Sequence, residues 1–319
     1  MLGFRWFVVL SALAWFSSAG AQTLAVVNAQ LDARAPTALA AAESFAKDNA
    51  NNADAWITLA RARLQAGKTE QAITAAERGS KLAPGNAQAF FWLGNAYGFR
   101  IARVGMFSKM TLAPKLRDAY ERAVALDGNL LDARSALVEY FMLVPSFAGG
   151  SVEKARAQAL EIGRRDKAQG LLAQGSIAMH EEKTAEAMKF FEAALAAQPG
   201  DVRVRLAVAV AYQQLERWPD AFRLLRNWSA EDPHSAIARY QFGRAAALSG
   251  QFLDEGAAAL LAYLKLPHGS DEPENKNVYF RLGQIHAKAG RKDQARVAFA
   301  SALKLDPGYS EAKAEMARL

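Results

Sequence analysis

A nine-residue signature that returns along the chain limits this fold more than any single residue does. The stretch LQAGKTEQA at 64–72 lies over MHEEKTAEA at 179–187, QQLERWPDA at 213–221 and AKAGRKDQA at 287–295. Each copy follows a segment whose apolar residues recur at helical spacing, and precedes another that ends near a proline: Pro84, Pro199, Pro233 or Pro307. Pro199 and Pro233 stand 34 residues apart, the length of a two-helix unit. The same comparison disposes of a nucleotide site. Gly67, Lys68 and Thr69 spell the end of a phosphate-binding loop, but that loop needs an earlier glycine where Ala62 stands. It also needs a strand in front, and ADAWITLARARL has helical spacing instead. The tripeptide reads as a turn between two helices.

Within a copy, positions four, seven, eight and eleven fall at i, i+3, i+4 and i+7, one face of a helix, and large residues at three of them bury against the partner helix. Small residues at positions eight, twenty and twenty-seven let the axes approach to about 8–10 Å. One pair still leaves an apolar face open. Only the next pair covers it, so the copies stack into a solenoid with a concave inner wall.

Composition supports a large helical core and narrows the chemistry. Of 319 residues, 51% are hydrophobic and only ten are proline, so the chain reads as ordered and globular. The absence of cysteine excludes disulfides and thiolate chemistry. The formal charge of +7 comes from Lys and Arg mixed among Asp and Glu, which makes a solvated surface. No basic block interleaved with aromatics occurs, so nucleic acid is not an expected partner. Residues 1–21, MLGFRWFVVLSALAWFSSAGA, join a positive start, an apolar run from Trp6 to Phe16 and the small trio Ala19-Gly20-Ala21. That is the layout of a cleavable secretory signal leaving Gln22 first, and the run falls short of the about 20 residues a spanning helix needs. The expectation is an exported protein, periplasmic or secreted, with no stable membrane span once the leader is removed.

The repeat resembles the tetratricopeptide repeat family, whose pattern is W-x2-L-G-x2-Y, then A-x3-F, then P. Trp56, Leu59, Ala60, Ala72 and Pro84 match it in 53–86. Gly175, Ala187, Phe191, Ala194 and Pro199 match in 168–201, and Val208, Ala209, Tyr212, Ala221 and Pro233 in 202–235. Tyr279, Leu282, Gly283, Ala295, Phe299, Ala302 and Pro307 match in 276–309. The resemblance implies an all-α, right-handed superhelical solenoid of antiparallel helix pairs. About seven repeats are expected, at 53–86, 87–130, 131–167, 168–201, 202–235, 236–275 and 276–309, after an N-terminal helical segment at 22–52 and before a capping helix at 310–319. Two copies carry insertions. FRIARVGMFSKMTLAPK at 99–115 delays a second helix by about ten residues, and Gly149-Gly150 breaks the chain ahead of Ser151, a helix cap. In the copy from Ala236, Glu255 falls where a small residue is expected.

No catalytic residue, metal site or cofactor is expected. His180-Glu181 opens like a zinc-protease motif, but Thr184 stands where the second histidine belongs. Neither GxSxG nor GxGxxG occurs, and nothing marks two carboxylates as an acid and base pair. Asn227-Trp228-Ser229 has the form of a glycosylation sequon, yet Trp228 takes an inward repeat position.

The resemblance also places the first helix of each pair along the concave wall. Carried onto this sequence, the partner-binding groove is expected at Arg61, Phe91, Asn95, Phe99, Tyr240, Arg244, Phe280 and Gln284. Aromatics there grip side chains while Arg, Asn and Gln satisfy a bound backbone, which suits a protein or peptide partner. In that scheme Trp56 is core, and Tyr240→Ala leaves melting nearly unchanged. One subfamily clamps a C-terminal carboxylate with Lys at the fifth position and Asn at the ninth; Asn95 fits, but Phe91 replaces the Lys. The competing expectation is a self-assembling module that closes a homo-oligomer, or touches a membrane, through Val104, Met106, Phe107, Met110 and Leu112. A third is an enzyme with its site in the insertions.

Overall fold

A computed structural model describes residues 23–267 and 272–319, so the expected leader at 1–21 lies outside the described residues. Among these there are seventeen α-helices and no strand. Seven pairs follow the repeat: α3 (Ala53–Gln65) with α4 (Thr69–Leu82), α5 (Ala87–Ile101) with α6 (Met106–Leu126), and α7 (Leu131–Leu143) with α8 (Val152–Gly163). They continue as α9 (Lys167–His180) with α10 (Thr184–Ala197), α11 (Val202–Gln214) with α12 (Trp218–Glu231), α13 (Ala236–Ser249) with α14 (Leu253–Tyr263), and α15 (Asn275–Lys288) with α16 (Lys292–Leu305). Ahead of them α1 (Leu24–Asp32) and α2 (Ala38–Asp48) form a further pair, and both pack on α3. At the far end α17 (Ser310–Ala317) packs on α16 and buries Ala312.

The two kinds of helix start differently. Five of the seven first helices begin on a side-chain cap: Asn52 accepts from the Asp54 N–H at 2.9 Å and Asn86 from the Gln88 N–H at 2.9 Å, with Asp166, Asp201 and Ser235 doing the same further on, while α7 and α15 have none. Second helices α4, α10, α12 and α16 lack a side-chain cap and start from the preceding helix's end. There the residue in the left-handed region is Gly67 (φ 71°), Glu182 (61°), Glu216 (54°) or Gly290 (74°). The next N–H reaches back to close the turn at 2.8 Å each time, Lys68 to the Arg63 carbonyl and Arg217 to that of Tyr212. The Gly-Lys-Thr tripeptide is this turn. A Cβ on Gly67 would meet nothing within 4 Å, so Gly67→Ala is expected to cost about 1 kcal/mol, through backbone conformation alone. Chemical denaturation measures it, and an unchanged midpoint would show that the turn tolerates an alanine.

Close packing follows the small-residue positions. Ala72, Ala187, Ala221 and Ala295 are fully buried. Gly94 lies under the Tyr120 ring, Gly175 under Phe191 and Gly283 under Phe299, each so tightly that a Cβ would come within 2.7 Å of a ring carbon. Tyr212 and Phe299 point inward, at 5% and 0% exposure, whereas Trp56 is only half-buried and its indole N–H donates to the Ala50 carbonyl at 2.8 Å. The departure at Glu255 is resolved by a one-residue shift. An extra turn residue, Phe252 (φ 50°), starts α14 one position late, so Gly256 fills the small position against Ala246. Glu255 faces outward and pairs with Arg226 at 3.0 Å.

The insertions take different forms. Residues 106–115 are not a loop before a delayed helix but the first turns of α6, which runs on through Pro114 to 21 residues. The second makes a 3₁₀ turn at Ser146–Ala148, after which Ser151 caps α8. The polar exit loop after α14 is described only in part. No helix of the described residues is long and apolar enough to cross a membrane.

Candidate partner-binding groove

At the N-terminal end the first helices α3 and α5 face a cleft of about 1030 Å³. Arg61, Phe91, Asn95 and Phe99, which the family resemblance nominated, all line it. Arg61 ion-pairs with Asp32, and its guanidinium lies 5.7 Å from the Trp92 ring centroid. Phe91 is half-buried, edge-on to Trp92 at 5.6 Å and tilted against Tyr120 at 6.1 Å. The Tyr120 hydroxyl donates to Asn95 Oδ1 at 2.8 Å. Burial, and then the Glu139 carboxylate, push that phenol well above its usual range, so it stays a donor and leaves the Asn95 amide nitrogen for other acceptors. Phe99 is 47% exposed, with the Arg103 guanidinium 6.0 Å from its ring centroid.

Curvature closes the cleft with residues far apart in sequence. Arg34 and Pro36, from the turn between α1 and α2, border it together with Asp132 at the start of α7 and Glu274 ahead of α15. The rim therefore carries both signs of charge around an aromatic floor.

The other four nominated residues lie apart from this cleft. Tyr240 and Phe280 are each 7% exposed. Tyr240 packs on Tyr263 at 5.8 Å, and Phe280 on Phe299 at 5.9 Å and Tyr309 at 5.1 Å. This corrects the expectation for both: their rings belong to the core, so they offer a partner little surface, and Tyr240→Ala lowers stability rather than sparing it. The neighbours decide the outcome: Phe280 has the same ring at the same repeat position as the half-buried Phe91, but Phe299 and Tyr309 pack over it. Arg244 is half-buried and donates to Gln213, while Gln284 accepts from Arg281 at 2.7 Å. Burial, and then the nearby Arg281, lower the Arg244 guanidinium from its ordinary value. Neither arginine has a carboxylate partner among the described residues, and Arg281 Nε is buried without a hydrogen bond. Sequence reasoning missed Trp92, Arg103 and Arg281. Trp92 lay beside the nominated Phe91, whereas Arg103 needed the path of the insertion.

Tetratricopeptide-repeat family profiles match residues 53–96, 178–241 and 277–309. No curated protein matches the chain. Among solved structures, a tetratricopeptide repeat protein from Parabacteroides merdae is 15% identical, with 83% of this chain and 97% of that one covered at a TM-score of 0.49. YrrB, described as a TPR protein with an unusual peptide-binding site, is 20% identical over 62% of this chain and 97% of its own, at 0.41. The structure of the APC/C hetero-tetramer Cut9–Hcn1 aligns with 92% of this chain and 54% of its own at 14% identity and 0.48. The matched stretches span α3 to α5, α10 to α12 and α15 to α16, where the Schellman turns and buried alanines recur in phase. This chain belongs to the tetratricopeptide-repeat family.

Proposed function

We propose that the protein is an exported, non-catalytic scaffold that holds an extended protein segment along its concave wall, in the periplasm or outside the cell. The observation that carries this reading is the cleft, where Phe91, Trp92 and Phe99 stand beside Arg61, Asn95 and Arg103 on one curved face. Rings of this kind desolvate side chains, and the donors among them satisfy backbone carbonyls or acidic groups. Arg244 and Arg281 extend that preference toward segments bearing carboxylates.

Photo-crosslinking tests the reading. A crosslinking residue at position 99, in the cleft, is expected to trap a protein segment of defined sequence; the same residue at Thr74, on the exposed side of α4, traps none. Phe91→Ala is expected to weaken capture about tenfold, an ordinary loss for one aromatic anchor. Equal trapping from both positions, or adducts only with a second copy of this chain, would refute the groove. Export is read separately by N-terminal sequencing, with Gln22 as the expected first residue; a start at Met1 removes that part of the proposal.

A further inference from the structure

The two insertions meet on one edge of the solenoid. Each interrupts the turn from a first to a second helix in adjacent pairs, and α6 touches the 3₁₀ turn at Ser146–Ala148. At 21 residues α6 is seven longer than α4, α10, α12 or α16, so its inserted turns stand out about 10 Å further. Their exposed residues Met106 (72%), Phe107 (88%) and Met110 (53%) share one arc of the helix. On the neighbouring insertion Phe147 is 82% exposed, and Leu143, the last residue of α7, is 73% exposed.

That second insertion is a built loop. The Gly150 N–H donates to the Pro145 carbonyl at 3.1 Å, the Ser151 N–H to that of Phe141 at 2.9 Å, and the Tyr140 hydroxyl to that of Ala148 at 3.2 Å. Gly150 lies so close that a Cβ would come 1.6 Å from the Val144 carbonyl oxygen. A loop held this firmly, with a phenylalanine left in water at its tip, displays that ring.

Charge identifies the occupant. From Arg100 to Arg117 the chain has five cations and no carboxylate; Arg100 pairs with Glu70, Arg117 with Asp118 and Arg103 lines the groove, which leaves Lys109 and Lys115 to this edge. Lys109 and Lys115, beside the apolar tip, have no ion pair among the described residues. A symmetric dimer through this edge would set the same cations against themselves. An anionic lipid surface pairs with them and accepts the rings at the headgroup boundary.

We propose that this edge is a membrane-docking surface, seating Met106, Phe107, Met110 and Phe147 in the interfacial layer of an anionic bilayer with Lys109 and Lys115 against headgroup phosphates. It stands apart from the groove and does not depend on what the groove holds. The purified protein is expected to co-sediment with phosphatidylglycerol–phosphatidylcholine vesicles and not with phosphatidylcholine alone, and to release as salt rises. Phe107→Ser with Phe147→Ser, both at exposed positions, is expected to weaken this roughly tenfold or more without changing the helical melting curve. Sedimentation would also report a retained leader, so seating is read locally: Phe107→Trp gains quenching by brominated anionic lipid beyond that of the unsubstituted chain. Binding that ignores lipid charge, no added quenching at position 107, or a dimer in light scattering that Phe107→Ser dissolves in the absence of vesicle binding would each overturn the proposal.

Discussion

Trp228→Ala is expected to lower stability by about 3–5 kcal/mol, the range for deleting a large buried aromatic. Trp228 is 1% exposed and packs with Phe222, Leu225, Phe242 and Leu260 in the core shared by α12, α13 and α14. The Arg205 guanidinium lies 5.9 Å from its ring centroid and is itself ion-paired with Glu231, so truncation also loosens a cation from its seat. In a solenoid each pair contacts only its neighbours, so the damage is expected to stay local. Hydrogen exchange should show lost protection in α11 to α14 with little change in α3 and α4. A loss under about 1 kcal/mol would mean that the site collapses around the hole, and uniform loss of protection would mean that the pairs unfold as one body.

The second large effect is a reversal of ordinary helix propensity. Inside a helix Gly→Ala normally gains about 0.5–1 kcal/mol. At Gly283 the new Cβ would lie 2.4 Å from Phe299 Cε1, and Phe299 has no exposed surface into which to retreat. Gly283→Ala is therefore expected to cost about 1–3 kcal/mol by overpacking. Gly98, in α5, meets only Leu116 Cδ1 at 3.4 Å, so Gly98→Ala is expected to show the ordinary gain. Denaturant midpoints of the two variants should move in opposite directions. Combining Gly283→Ala with Phe299→Leu should cost less than the two changes summed, since the smaller side chain vacates the space the methyl needs. Movement of both single variants in the same direction would show that the close approach under Phe299 relaxes without strain.

Four of the eight nominated residues, Arg61, Phe91, Asn95 and Phe99, line the cleft, and the direction in which each faces is a matter of helix register, a local property. Once the pairs are in phase, 3.6-residue periodicity decides which way Arg61, Asn95 and Phe99 face. Register says nothing about depth. Tyr240 and Phe280 sit at positions equivalent to cleft residues, yet their rings reach Tyr263, Phe299 and Tyr309 and are covered. The buried state of a long side chain depends on what neighbouring helices bring to meet it, and that is not written at its own position.

The leftover turns of the two insertions show the same limit. Phe99 to Lys115 reads as interrupted sequence, and its apolar residues and lysines are visible there. That residues 106–115 extend α6, and that Phe147 from the next pair joins them on one edge, is known only from coordinates.

Helix pairing, the turn at Gly67, the small residues beneath rings and the inward first-helix faces follow from residues within about 34 positions of each other, whose spacing carries the physics. The bordering of one cleft by Arg34 and Glu274, and the juxtaposition of the insertions, come instead from small rotations between successive pairs. Those rotations accumulate along the whole solenoid, and no local pattern encodes their sum.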